Sequence, residues 1–304
     1  TFLLRRISIA LLTIWAVFTI SFFIIRAAPG GPFDSEREPP IEVKKAIEAR
    51  YQLDAPLWSQ YLDQLQGWAR WDPGPSLRQP DHDVATILAA GLPISLMIGV
   101  LALVLGTTIG ILLGLLAALR TGSWIDQCVV MLASIGISLP LYVIAGILVL
   151  TFSFELGWIP PAGWESPRSL ILPVICLALA PASQAARLIR SSLIEMKSEE
   201  FARTARAKGR GSFSVLFRHC LRPALVPLVS TLGPTAAALL TGSLVVEQIF
   251  AIPGIGMHFI QGALNRDYPL VLGAVLLYTV LLQLLTLVAD LALLWLDPRL
   301  RETT

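Results

Sequence analysis

Charge is what this sequence has least of: Asp, Glu, Lys and Arg make up 14% of its 304 residues, where soluble globular chains carry about 25%. A soluble domain is thereby excluded. Histidine and cysteine are as scarce, with three of each. His82, His219 and His258 fall in loops far apart with no plausible ligand set, which excludes a histidine-built metal centre. Cys128, Cys176 and Cys220 show no paired spacing, which excludes a disulfide framework and leaves them as small packing residues. Also missing are a Gly-x-x-x-x-Gly-Lys-Ser/Thr phosphate loop, a His-Glu-x-x-His pair and a Gly-x-Ser-x-Gly elbow. No catalytic constellation remains, so the chain reads as a non-enzyme with no cofactor or metal of its own. The net charge of +2 gives no reason to expect nucleic acid.

What is present is apolar. The chain is 55% hydrophobic with a mean hydropathy of +0.70, the composition of an all-α polytopic membrane protein. Arg5-Arg6 precede an uncharged run from Ile7 to Ile25, long enough to cross a hydrocarbon core of about 30 Å. That run outlasts the apolar region of a secretory signal peptide, about 7–15 residues. A retained first helix is therefore expected, and Thr1 in place of Met implies trimming at the start. Val84 to Leu119 holds no charge and is too long for one straight span. Its first residues are expected outside the span, or the helix is expected to bend at Pro93. Further spans are expected over 125–154, interrupted by Pro140, and over 170–186, 224–246 and 269–296. Gly106, Gly110 and Gly114 repeat every fourth residue and form one smooth face, read as a packing seam, with a pore-lining groove as the alternative.

Between the spans, residues 29–84 hold ten acids against six Lys/Arg. Within them 41–51 and 56–68 have helical spacing. They read as two amphipathic helices lying on the membrane with tryptophans at headgroup depth, or as a solvated loop with a small satellite core. Arg120 to Ser123 is a tight turn, 158–164 an interfacial loop, and 247–268 a re-entrant loop. Lys and Arg collect at Arg5/Arg6, Arg120, Arg187 to Arg222 and Arg299/Arg301, and the net-acidic loops fall opposite. By the positive-inside rule six spans follow, with both termini cytoplasmic. Residues 1–28 are then the first helix, 29–88 a large extracytoplasmic loop, and 89–304 a five-helix core whose cytoplasmic loop is 191–222. Asp126 and Asp290, the acids well inside apolar stretches, lie near span ends and read as interfacial or helix-packing partners, which disfavours an ion-coupled carrier. Ser230, Thr231, Thr235, Thr241 and Ser243 give the fifth span a small, weakly polar stripe that suits a translocation path and helix packing equally.

The sequence is organised around its one strongly basic stretch. Arg187 to Arg222 carries nine Lys/Arg and three acids, so it cannot sit in lipid. Ser198 is a plausible N-cap, Glu199 and Glu200 suit a helix N-terminus, Phe201, Ala202 and Ala205 form an apolar stripe, and Lys208 and Gly209 suit its end. A helix of about three turns is expected over 198–209, with a second amphipathic piece over 213–219. A basic loop touching lipid headgroups accounts for this pattern, and so does a docking helix offered to a soluble partner.

Here the residues carry a resemblance. Arg203-Thr204-Ala205-Arg206-Ala207-Lys208-Gly209 followed by Arg218-His219-Cys220-Leu221-Arg222-Pro223 resembles the coupling-loop signature of ABC importer permeases, in its peptide-permease variant. The general signature starts Glu-Ala-Ala and ends Leu-Pro, where this chain has Arg203-Thr204-Ala205 and Leu221-Arg222. The likeness extends through Pro29-Gly30-Gly31-Pro32-Phe33-Asp34, Gly136-Ile137-Ser138-Leu139-Pro140, the stretch Thr241 to Glu247, Ile252 to Gly256, Leu264 to Pro269 and Asp297 to Arg301. It is greatest to B-type subunits of oligopeptide importers, ahead of dipeptide, nickel and glutathione relatives. The resemblance implies the type I importer fold, a homologous second permease, two cytoplasmic ATPases that hold the ATP and Mg, and an extracytoplasmic binding protein that delivers peptides. It implies a bacterial inner-membrane location, half of a translocation pathway, and ATPase coupling through Phe201, Arg203, Thr204, Ala205, Arg206, Ala207, Lys208 and Gly209.

Overall fold

The computed structural model describes residues 2–27, 55–79 and 82–296. The expected helix at 41–51 and the motifs at 29–34 and 297–301 lie outside them. The helices are α1 (Phe2–Ala27), α2 (Leu57–Ala69), α3 (Val84–Leu119), α4 (Trp124–Ser138), α5 (Leu141–Leu148), α6 (Ile171–Ser198), α7 (Glu200–Ala207), α8 (Ser212–Val215), α9 (Leu221–Ile249), α10 (Ile255–Leu264) and α11 (Tyr268–Leu296). Wider π turns continue α5 over Val149–Glu155 and join α8 to α9 over Leu216–Cys220. Among the described residues five helical stretches are long and apolar enough to cross a membrane, and α4 with the α5 segment makes a sixth if that pair is one span.

That pair departs from a simple interruption. Its two arms meet at 108°, because Pro140 has no N–H to continue α4 and holds Leu139 in an extended conformation, with ψ 131°. At Pro93, by contrast, α3 runs on unbroken for 36 residues.

The helices gather into two compact units. One comprises the described parts of Thr1–Ser95 with Pro253–Leu281, the other those of Leu96–Ile252 with Leu282–Thr304. Packing thus draws 253–281 into the company of the first residues, whereas a division by loops puts them in the five-helix core.

In the first unit Phe18 and Phe22 of α1 enclose Tyr61 of α2 together with Leu272 and Leu276 of α11. Tyr61 stacks on Trp58 with ring centroids 5.2 Å apart, and its hydroxyl lies 2.9 Å from Thr19 Oγ1. So α2 does form where helical spacing predicted, and its inner face makes the satellite core. Trp58 stays exposed, while Trp68 is packed against the buried residues. The Arg26 guanidinium donates to Gln60 and lies over the rings of Phe22 and Tyr268, at 5.2 and 5.4 Å. Buried Asp267 accepts from Ser76 Oγ and from the Leu77 N–H at 3.2 Å, strapping 75–79 onto the start of α11.

In the second unit, α3 lies against α6 along the predicted glycine seam. A Cβ on Gly106 would stand 2.5 Å from the Ala178 carbonyl, on Gly110 2.5 Å from Ala185 Cβ, and on Gly114 2.7 Å from the Ala186 carbonyl. Backbones this close gain dispersion and leave no pore-lining groove at that face. Deeper along α6, Ile189 and Leu193 are fully buried with Val215, Leu216 and Cys220.

Candidate coupling site

The basic stretch takes a different shape at its start from the expected one. Ser198 is the last residue of α6, and its hydroxyl donates to the Glu195 carbonyl at 2.6 Å, so it is no N-cap. The cap position belongs to Glu199, whose side chain makes no capping bond. The reason is tertiary: Ala185, Ile189 and Leu193, spaced by four, keep α6 helical beyond Ala186 by burying one face. The end of α7 follows expectation, with Gly209 at φ +77°, the left-handed stop that costs glycine least.

On α7 two of the three alanines are buried and the other residues are exposed. Ala202 and Ala205 are buried in the cluster of Leu193, Val215, Leu216 and Cys220. Ala205 therefore serves the chain's own packing and offers nothing to a partner. Phe201, Arg203, Thr204, Arg206, Ala207, Lys208 and Gly209 are exposed, and Phe201, Thr204 and Lys208 fall on one face by spacing. Phe213 and Phe217 extend this exposed surface as a stacked pair 5.9 Å apart.

A ring of polar contacts holds this site. Arg206 Nη2 donates to the Lys197 carbonyl at 2.8 Å. Lys197 Nζ donates to the Ala118 carbonyl and lies 3.4 Å from Thr121 Oγ1. Thr121 Oγ1 also donates to the Ala118 carbonyl, at 2.9 Å. The Gly122 N–H, in a turn that needs φ +80°, donates to Asp126 Oδ2 at 2.9 Å. Arg190 then closes on both oxygens of Asp126, with Nη2 at 2.8 Å from Oδ2. Asp126 is 3% exposed, so it is a packing partner as its place near a span end implied, and the fork geometry of Arg190 makes the pair directional. Sequence reading found Asp126 but not Lys197, Arg190 or Arg206 as its company, since these links cross up to 79 positions.

The stripe on α9 divides. Ser230 is exposed and donates to the Pro227 carbonyl at 2.6 Å. Thr231 is half-buried and donates to the Leu228 carbonyl at 2.8 Å, and half-buried Thr235 donates to Gln184 Oε1 on α6 at 3.0 Å. Ser243 is 0% exposed and bonded to the Leu240 carbonyl, which removes it from any open path, and the Thr241 side chain lies outside the described residues. Pro223, Pro227, Pro234 and Ala238 share the exposure of Ser230, a face that residue burial alone reveals. Among the described residues no group of three or more His, Cys, Asp or Glu gathers into a metal site.

Uninterrupted apolar helices, a broken helix pair and a charged helix stapled to the ends of three others define a multi-pass membrane transport subunit. The chain belongs to the family described as binding-protein-dependent transport system inner membrane component, whose profile matches residues 110–302. It is 40% identical to the oligopeptide transport system permease protein OppB of Haemophilus influenzae, covering 99% of both chains. To the Salmonella typhimurium OppB it is 41% identical, again over 99% of both. To the dipeptide transport system permease protein DppB of Bacillus subtilis it is 39% identical, over 99% of this chain and 97% of that one. An inward-facing structure of the MetNI methionine ABC transporter shares its fold, with a TM-score of 0.56 at 19% identity, over 69% of this chain and 96% of that one.

Proposed function

We propose that this chain is the membrane-spanning subunit of an ATP-driven peptide importer. It pairs with a homologous second permease to enclose the pathway and supplies no chemistry of its own. Two cytoplasmic ATPases bind the ATP and Mg, and α7 seats its exposed face on one of them. An extracytoplasmic binding protein delivers the peptide, and both termini lie in the cytoplasm.

The observation that carries this is the two-faced α7: an inner face fixed by Ala202 and Ala205, and an outer face of Phe201, Thr204 and Lys208 left exposed among the described residues. A helix so held transmits force without unfolding, which a lipid-touching loop has no need to do. Full-length similarity to oligopeptide and dipeptide permeases supports a peptide as the cargo.

The test is co-purification of the tagged chain from its host membrane with mass spectrometry of what stays bound. It is followed by uptake of labelled di- to hexapeptides into proteoliposomes with and without ATP. A second permease and two ATPases, with uptake that needs ATP, are expected. Recovery of the chain alone with flux that ignores ATP would overturn the reading in favour of a channel. Uptake confined to dipeptides would move the cargo to the shorter class.

A further inference from the structure

Two helix ends in this chain, those of α3 and α6, are capped by a cation from a helix later in the sequence. The last carbonyls of a helix have no intrahelical partner and carry the negative end of its dipole, so a cation placed there is bound by both effects. Lys197, near the end of α6, reaches the Ala118 carbonyl at the end of α3. Arg206, on α7, reaches the Lys197 carbonyl at the end of α6. From Ala118 the connection runs through Thr121 and the Gly122 N–H to Asp126 on α4, and Arg190 returns it to α6.

Lys197 is the joint, since its backbone receives α7 and its side chain holds α3. Its ammonium does not hold Ala118 alone, because Thr121 caps the same carbonyl. Removing the ammonium therefore leaves no orphaned carbonyl, and the fold survives. What is lost is the tie between elements. Asp126 adds rigidity of another kind: it is buried, doubly held by Arg190, and unable to let go of it without leaving a charge unpaired in an apolar setting.

We propose that Lys197, with the Asp126–Arg190 pair, is a positioning device that makes α7 move as one body with the ends of α3, α4 and α6. A displacement of α7 then reaches the glycine seam between α3 and α6 as well as α9, the span that follows it in sequence. This rests on the importer reading above. Lys197 touches neither nucleotide nor peptide. It acts by fixing where α7 stands when the ATPases close.

The experiment uses the complete transporter with its partner subunits and binding protein in proteoliposomes, and reads peptide uptake and ATP hydrolysis on the same sample. Lys197→Met keeps the aliphatic stem and removes the cation. It is expected to assemble as the wild type does and to lower peptide taken up per ATP hydrolysed by about tenfold, within the usual range of coupling between sites. Lys197→Arg, able to reach the same carbonyl, should restore most of that ratio. Asp126→Asn, the same size without the charge, should shift the ratio in the same direction. It also serves as the deciding variant should Lys197→Met fail to assemble.

An unchanged ratio in an assembled Lys197→Met complex, or in Asp126→Asn where that variant decides, would overturn the proposal. So would a loss of uptake that, in both variants, only follows loss of complex. If the wild-type chain recruits no ATPase at all, the importer reading itself fails, a result visible before any variant is made.

Discussion

The two compact units join their helices with different emphasis. In the second, α3 and α6 meet backbone to backbone at Gly106, Gly110 and Gly114, and α4 meets α6 where Gly136 faces Ser183. In the first, beside one close backbone approach of Gly91 to Gly254 and Ile255, the joints are long side chains: Phe18, Phe22 and Tyr61 ring to ring, Arg26 between two aromatics, and Asp267 strapping a loop. Between helices in lipid the hydrophobic effect contributes little, so close approach and dispersion must serve. The first unit contains α2 and the strap at 75–79, which are not candidate spans, and these hold on by burying aromatic rings and satisfying a carboxylate. The family profile begins at residue 110, whereas the peptide permease relatives match 99% of the chain. Phe18, Phe22, Arg26 and Tyr61 lie ahead of the profile, whereas Asp267 and Tyr268 lie within it.

The comparison breaks first at the seam. Gly110→Leu would drive a side chain into the Ala182 carbonyl, Ala185 Cβ and the Ala186 nitrogen. Two of these three are backbone and cannot step aside, so we expect a loss of about 3 kcal/mol or more, the upper end for overpacking. Detergent-solubilised protein should show this as a much lower melting temperature. On the same helix Gly99 has nothing within 4 Å of an added Cβ, so Gly99→Leu should change stability by no more than about 0.5 kcal/mol. Equal tolerance of the two would mean that the seam is loose. A smaller and more local effect is expected from Asp267→Ala. It strips Ser76 Oγ and the Leu77 and Leu270 N–H groups of their acceptor, at a cost of about 2–3 kcal/mol. Limited proteolysis should then open 75–79 while leaving α3 and α6 protected. Cleavage spreading into α6 would show that the two units do not unfold separately.

Which of this was legible in the sequence depended on the range of the interaction. The spans, the seam at Gly106 to Gly114 and the Gly209 stop follow from composition, fourfold spacing and the one residue that adopts φ +77° freely. The continuation of α6 to Ser198 was available too, in the spacing of Ala185, Ile189 and Leu193, but the polar residues between them read as loop. The Asp267 cap of α11 was hinted at by an acid just before Tyr268-Pro269. Its bond to Ser76, 191 positions away, was not, and neither was the Lys197 link to Ala118. A cation in a basic loop looks the same in sequence whether it is solvated or caps a helix. The inward turn of Ser243 and Ala205 escaped for a related reason, since small residues suit either face of a helix.

The finest difference between the units is one of pH. His258 stands in the first turns of α10, with its ring against the backbone of α3 at Gly91, where an added Cβ would come within 3.3 Å of His258 Cδ2. Burial there lowers its pKa below the ordinary 6.5, since the apolar surroundings disfavour the charged ring. Below pH 6.5 the unfolded chain then binds a proton that the folded chain refuses. Stability is therefore full above that pH and declines as pH falls through the window beneath it. The slope cannot exceed that of one proton, and partial exposure makes it shallower. Hydrogen exchange of the 255–264 amides, corrected for intrinsic rate, should show protection falling between pH 7.5 and about 5.5, the span in which a histidine changes charge. His258→Gln, which cannot titrate, should flatten that fall and leave the exchange of α6 unchanged. An identical pH response in the variant would assign the slope to another group, and the first unit would lose its claim to a pH sensitivity set by His258.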